Sequence, residues 1–105
     1  MKDLATLAEE QLTAARADRH GRSALLILRD VPLRQTVIAL TDGTQLGEHA
    51  TPPAASLQVL RGSVRVSSDH ADVELPQGVL YLLPSGHHSV TAIGDAAVLL
   101  TAVNP

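Results

Sequence analysis

The sequence contains no cysteine, which excludes disulfides, thiolate metal ligands and cysteine nucleophiles together. Any metal site must therefore use histidines, carboxylates and amides. The sequence also lacks phenylalanine and tryptophan, and Tyr81 is its single tyrosine. Proteins that bind single-stranded nucleic acid stack the bases on aromatic side chains, and this chain has no such platform to offer.

Positive charge is also scarce, because 8 Lys and Arg residues stand against 11 Asp and Glu residues, for a formal net charge of -3. A nucleic-acid-binding protein needs basic groups to neutralise phosphates, so we expect no nucleic-acid partner. The N-terminal stretch MKDLATLAEE lacks the apolar core of a signal peptide, and no apolar run approaches the roughly 18 residues of a membrane span. We therefore expect a cytoplasmic protein with no membrane partner.

Residues 3–20 have the pattern of one amphipathic helix, with its apolar residues on one stripe and its charged residues elsewhere. Asp3 is suited to cap the N-terminus, and Gly21 is suited to the left-handed conformation that ends many helices. The stripe must be buried against the rest of the chain or against a second copy. It consists of Leu4, Leu7, Ala8, Leu12 and Ala15.

Residues 23–105 form the rest of the single domain, and here short apolar runs alternate with turn residues, a pattern typical of an all-β sandwich or closed barrel. In LRQTVIAL, residues 33–40, the run is apolar on both faces. One face is expected to line an interior, and the other to be covered by the helix or by a partner subunit. We therefore expect a homodimer, although the helix alone would account for the second face. The predicted strands are ALLIL, TVIAL, SLQVL, SVRV, DVEL, VLYLL, HSVTA and AAVLLTAV.

Two stretches, GEHATPPAASLQVLRGSVRV (47–66) and LPQGVLYLLPSGHHSV (75–90), resemble the paired motifs of the cupin superfamily. In the cupin family, the first motif carries two histidines, a glutamate and a strand that ends in a glycine turn. The second carries a strand, a Pro-x-Gly turn and a histidine. The resemblance implies an RmlC-like, cupin-like jelly-roll β-barrel with a pocket inside, preceded by the amphipathic helix.

The resemblance also implies a metal site, because metal-binding cupins take two His and one Glu from the first motif and one His from the second. It places His49 at the first of these positions and His88 at the last. Thr51 and Ala55 stand where the second His and the Glu would be, so the metal motif is degenerate. His87 could replace His88, because the turn segment before it is one residue shorter than usual. The sequence thus leaves open whether the protein uses a divalent metal (Zn, Mn, Ni or Fe) as a cofactor. We expect that no metal is tightly bound.

The alternation of side chains along a strand divides the remaining candidates. His87 and His88 point to opposite faces, so they count as one ligand; His88 is predicted to face inward, and His87 lies on the turn. Gln58 and Tyr81 complete the predicted ligand-binding set with His49 and His88. However, Gln58 alternates with apolar residues of its strand, and Tyr81 also fits a core position.

Arg34, Gln35 and Thr36 lie at the beginning of the strand 33–40, and those of one parity could reach the pocket mouth to bind a carboxylate or another polar ligand. The interpretation that we favour from the sequence is that Arg34 pairs with an acidic residue on the surface. Ser85 lies before Gly86 without the strand, turn and helix of a nucleophile elbow. The sequence therefore predicts no Ser-His-Asp triad.

Three functions are compatible with these observations. The composition favours binding of a small molecule in the barrel pocket, which Leu, Val and Ala would line. The alternative is a metal-dependent enzyme of the dioxygenase or isomerase type that uses His49 and His88. A redox metal usually needs three protein ligands, and the chain visibly supplies two. The third possibility is an interaction protein whose dimer surface is its function and whose pocket is residual.

Overall fold

The computed structural model describes the backbone of residues 1–50, 52–69 and 71–103, and the side chains of all of these except residues 47–50. Within these ranges, one helix precedes seven strands. The elements are α1 (Leu4–Ala17), β1 (Arg22–Asp30), β2 (Leu33–Leu40), β3 (Gln45–Ala50), β4 (Ala54–Ser68), β5 (Asp72–Leu75), β6 (Leu80–Leu82) and β7 (His87–Val103).

Helix α1 begins as predicted and ends earlier than predicted. Asp3 caps the N-terminus, where its carboxylate accepts hydrogen bonds from two backbone N–H groups of the first turn at 3.1 and 3.3 Å. The helix ends at Ala17 and not near residue 20. The carboxylate of Asp18 accepts from the backbone N–H groups of His20 and Arg22, at 2.9 and 3.3 Å, which stabilises a turn in place of another helical turn. These bonds, that from Arg22 foremost, lower the pKa of Asp18.

The strands form one antiparallel system in which β4 and β7 are the long central members. The order is β1-β2-β7-β4-β5, with β3 also paired to β7 and β6 also paired to β4. Along β7, the first half pairs with β3 and the second half pairs with β2. The sheet therefore curls around an interior, as the prediction of an all-β barrel requires. No helix in the described residues has the length and apolar character needed to cross a membrane.

Two pairs of predicted strands are continuous in the structure. SLQVL and SVRV both belong to β4, and HSVTA and AAVLLTAV both belong to β7, so their separation in the sequence-based prediction was wrong. The physical reason is glycine in the left-handed region, at Gly62 (φ 72°) and Gly94 (φ 73°), where a strand can bend without ending. The pairing of β4 with β7 shifts register on both sides of Arg61, next to the first of these glycines.

The core has two parts, which lie on opposite faces of the sheet. Ile38 and Leu40 of β2 belong to the interior cluster of the barrel. Their neighbours Val37 and Ala39 belong to a second cluster, in which α1 covers the outer face. The prediction that both faces of this strand are covered is thus confirmed, and the helix accounts for the outer one. The buried members of the helix cluster are Ala8, Leu12, Ala15, Val37, Ala39, Leu60, Ala97 and Leu99.

A polar network joins the helix to two corners of the barrel. Arg16 of α1 donates to a carboxylate oxygen of Asp95 at 2.8 Å, and the other oxygen of Asp95 accepts from the backbone N–H of Asp42 at 3.0 Å. In return the carboxylate of Asp42 accepts from the backbone N–H of Gly94 at 2.8 Å. The Arg16 guanidinium, followed by the Asp42 N–H, holds the pKa of Asp95 below its ordinary value.

Candidate functional site

A cavity of about 260 Å³ lies between β2, the two halves of β7 and the segments around residues 52 and 83. Its apolar wall comes from side chains on β7 and from Leu83, whereas its polar groups come from β2 and from the beginning of β7. The position follows from the strand register, since Arg34 and Thr36 of β2 lie opposite Ala102 and Leu100 of β7. The lining residues are Arg34, Thr36, Pro52, Leu83, His88, Leu100 and Ala102.

His88 is the deepest polar group of this cavity, and its side chain is 2% exposed. It shares its face of β7 with Val90 and Ala92, which are both buried in the interior cluster. The prediction that His88 is the inward member of the histidine pair is therefore confirmed. His87 is exposed, as the alternation of the strand requires.

The structure brings the backbones of His49 and His88 together, because the two residues are paired between β3 and β7. The side chain of His49 lies outside the described part of the chain, and so does Thr51. The predicted contribution of His49 to ligand or metal binding therefore stays a prediction.

Gln58 and Tyr81 are not among the residues that line the cavity. Gln58 is paired with Leu99, a member of the helix cluster, so it lies on the outer face of the sheet. Tyr81 is half-buried on β6 and packs against the interior cluster. The physical reason for both placements is strand alternation: Gln58 has the opposite parity to the interior residue Leu57, which is itself paired with Tyr81.

The described side chains do not fit a metal site. Among the residues whose side chains are described, no group of three His, Cys, Asp or Glu residues lies close enough to hold an ion. Ala55 stands where the cupin glutamate would be and is 4% exposed within the interior cluster, where its methyl group offers no ligand atom.

Arg34 differs most from the sequence-based interpretation. It was expected to pair with a surface acid, but it forms no ion pair with any acidic residue in the described part of the chain. Its cross-strand neighbours are Ala102 on one side and Arg29 on the other. Arg29 likewise forms no ion pair within the described ranges. Arg34 and Arg29 are thus directly opposite each other on neighbouring strands, both exposed, and like charges in this position repel each other.

Strand alternation in the sequence puts Arg34 and Thr36 on the inner face of β2, but it does not show that they line the cavity. Both residues lie on the same face of β2 as Ile38 and Leu40, which belong to the interior cluster. Arg34 was assigned to a surface ion pair because exposed arginines commonly form one, and parity alone does not tell where a strand leaves the interior for the solvent.

Comparison with known proteins gives a result at the level of the fold. No protein-family model matches the sequence, and no curated protein matches it. A conserved protein of unknown function from Streptococcus pyogenes is 24% identical, with 84% of this chain and 78% of that chain covered and a TM-score of 0.74. A cupin superfamily protein from Desulfitobacterium hafniense is 13% identical, with coverages of 80% and 78% and a TM-score of 0.75.

An RmlC-like cupin from Desulfovibrio desulfuricans is 23% identical, with 78% of this chain and 81% of that chain covered and a TM-score of 0.70. At these identities the likeness shows the fold and carries no activity or substrate with it. It agrees with the curled antiparallel sheet described above. The chain therefore has the cupin fold, the RmlC-like jelly-roll barrel.

Proposed function

We propose that the barrel cavity binds a small molecule with an apolar body and one anionic group, of which a carboxylate is the simplest. The observation that carries the proposal is the placement of Arg34 in the cavity lining, beside Arg29 and without an acidic partner in the described residues. An anionic ligand would offset part of the repulsion between the two neighbouring positive charges, and a carboxylate would match the planar guanidinium group.

The size and walls of the cavity support the rest of the description. A volume of about 260 Å³ lies just below the roughly 300–1,000 Å³ range of pockets for drug-sized ligands, so the ligand should be smaller than these. Leu83, Leu100 and Ala102 present an apolar wall. The imidazole of His88 is buried, whereas Arg34 is exposed. The imidazole would therefore orient a second polar atom of the ligand, deeper in the cavity than the anionic group.

The test is a binding screen in which each small monocarboxylate is compared with its amide of the same shape. Calorimetry and the ligand-induced shift of the melting temperature are the measurements. We expect the carboxylates to bind more tightly than the amides, and Arg34→Gln to weaken carboxylate binding by about 10- to 100-fold, because a hydrogen bond to a charged group contributes roughly 1.5–3 kcal/mol. The amides should bind the variant and the wild type alike.

Arg19→Gln is the matched control, since it removes the same charge from an exposed residue outside the cavity. It should leave carboxylate binding unchanged. Equal affinity of the wild-type protein for carboxylates and amides would refute the anionic group. If His88→Ala binds the carboxylates as tightly as the wild type, the role of the imidazole is refuted. If no compound in the screen binds the wild type, the small-molecule proposal is refuted and association of copies is left as the function.

We also propose that two copies of the chain associate. The sequence-based reason for a dimer was the apolar outer face of β2, but α1 covers that face. The support now comes from β1, which carries a run of apolar residues and has no buried residue at all.

A further inference from the structure

Strand β1 is unusually exposed for its composition. Its centre is ALLIL, residues 24–28, yet none of its nine residues is buried. Leu25, Leu26 and Leu28 are 40%, 42% and 42% exposed. The strand pairs with β2 along one edge, and no described strand pairs with its other edge. A row of backbone N–H and C=O groups is therefore flanked by apolar side chains in contact with water.

The exposed apolar surface extends to both faces of the sheet. Leu26 is paired with Thr36, which lines the interior cavity, so Leu26 lies on the inner face. Leu25 is paired with Val37 of the helix cluster, so Leu25 lies on the outer face. An element that packs along this edge can therefore remove apolar surface from water on both sides of it.

Natural proteins usually protect such edges with lysine, proline or an inward-pointing charge. The segment 24–28 contains none of these, and the charges of β1 are confined to its ends, with Arg22 at one end and Arg29 and Asp30 at the other. Its pairing with β2 shifts register between Leu26 and Leu28, an irregularity that twists an edge but leaves its leucines exposed. An edge that still exposes several leucines is best explained by a partner that covers it. A second copy of the same chain is such a partner, because a two-fold arrangement of identical edges is closed and does not continue into a fibre.

We propose that the free edge of β1 pairs antiparallel with the β1 edge of a second copy, so that the two sheets join into one. This inference rests on the proposed association of two copies and names the surface that they use. Antiparallel pairing about the centre of the strand brings the Arg22 end of each copy beside the Asp30 end of the other, which places opposite charges together. The apolar segments 24–28 then lie against each other in the middle.

The length of the strand is sufficient for a specific interface. Nine residues of β-strand extend for about 30 Å, which is the full width of a molecule measuring 31 × 30 × 25 Å. A specific complex buries about 800 Å² per partner, more than a hydrogen-bonded edge alone provides. The leucines on both faces of the edge, together with the 64%-exposed Val31 that follows the strand, supply the additional area.

The experiment is sedimentation velocity on the full chain over a wide range of concentration, with the variants Leu26→Lys and Leu82→Lys. Leu82 is 74% exposed on β6, so it tests the same substitution on a different strand edge. We expect the wild type and Leu82→Lys to dimerise, and Leu26→Lys to raise the dimer dissociation constant at least about tenfold, because pairing would bury its ammonium group. Circular dichroism checks that each variant is folded.

Each outcome has a distinct meaning. A wild type that is monomeric at every concentration would overturn both the association and the surface. If Leu26→Lys dimerises as tightly as the wild type, the association stands but the β1 surface is overturned. The β1 surface is also overturned if Leu82→Lys dissociates the dimer and Leu26→Lys does not.

A pair of charge reversals tests the orientation without changing an apolar residue. Arg22→Asp places an acidic residue near Asp30 of the other copy and should weaken dimerisation. The double variant Arg22→Asp, Asp30→Arg restores opposite charges and should recover most of the lost affinity. Asp30→Arg is measured alone as well. If the effects of the two single variants simply add in the double variant, the antiparallel arrangement is refuted, even if Leu26→Lys dissociates the dimer.

Discussion

Replacing Leu12 by alanine tests whether α1 is an integral layer of this fold. Leu12 is 4% exposed and lies on the helix face that covers β2 and β7. The two nearest buried positions of the same face, Ala8 and Ala15, are each 0% exposed and carry only a methyl group. Leu12 is therefore the largest fully covered side chain that the helix contributes to this interface.

The cost of Leu12→Ala has two parts. The substitution removes three carbon atoms from a buried site, and at about 0.8 kcal/mol each the loss of hydrophobic burial amounts to roughly 2.4 kcal/mol. The remaining cavity adds to this, because Ala8 and Ala15, the buried neighbours on α1, have only a methyl group with which to fill the space. We expect a loss of about 3–4 kcal/mol in the free energy of unfolding, within the 2–5 kcal/mol found for such substitutions.

Urea denaturation followed by circular dichroism, at one fixed protein concentration, measures this loss. Leu82→Ala is the matched control: the same atoms are removed from a side chain that is 74% exposed, and the change should stay within about 0.5 kcal/mol. The slope of the free energy against urea should be the same for all three proteins. A loss below about 1 kcal/mol for Leu12→Ala, or equal losses for the two variants, would show that the helix does not seal the sheet as described.

Three further predictions concern a glycine corner, an ion pair and the metal. Gly62→Ala should destabilise the fold by more than about 2 kcal/mol, because a Cβ there collides with the backbone carbonyl of Asp95; Gly78→Ala, also left-handed but in open space, should lose only about 1 kcal/mol of strain in the same urea assay. Arg16 and a backbone N–H lower the pKa of the Asp95 carboxyl in the folded state. The ionised carboxylate therefore stabilises the fold above the unfolded pKa, and this stabilisation is lost as the pH falls, so Asp95→Asn should flatten the decline in the free energy of unfolding below about pH 5. An unchanged pH profile would contradict this. Added Zn, Mn, Ni or Fe should shift the melting temperature of the wild type and of His88→Ala equally, whereas a shift that requires His88 would restore the metal-dependent interpretation.

The fold could be predicted because several local patterns agreed with one another. Helical periodicity in residues 3–20, short alternating strands and two cupin-like motifs all indicated a helix followed by a barrel. The strand count could not be predicted as well, because a glycine between two apolar runs can either end a strand or bend it. At Gly62 and Gly94 the chain bends, and the choice depends on the long partner strands β4 and β7, which are distant in sequence.

The site shows the same division. Alternation alone placed His88 inward and His87 outward, and both assignments agree with the structure. Alternation also indicated that Gln58 is unsuited to the interior, although it was included in the predicted ligand-binding set. Arg34 could not be placed, because its position depends on register: only the pairing of β2 with β1 and β7 sets it between Arg29 and Ala102.

The sequence by itself determined which side chains share a face, since the periods of the helix and the strand are fixed by backbone geometry. It also determined that thiol chemistry is unavailable, because the sequence contains no cysteine, and that aromatic side chains are limited to Tyr81. Only the tertiary structure decided what covers each face. The outer face of β2 lies under α1, whereas the equally apolar β1 is left exposed at a free edge. Burial depends on which strands become neighbours, and neighbours are chosen by long-range pairing that no local pattern specifies.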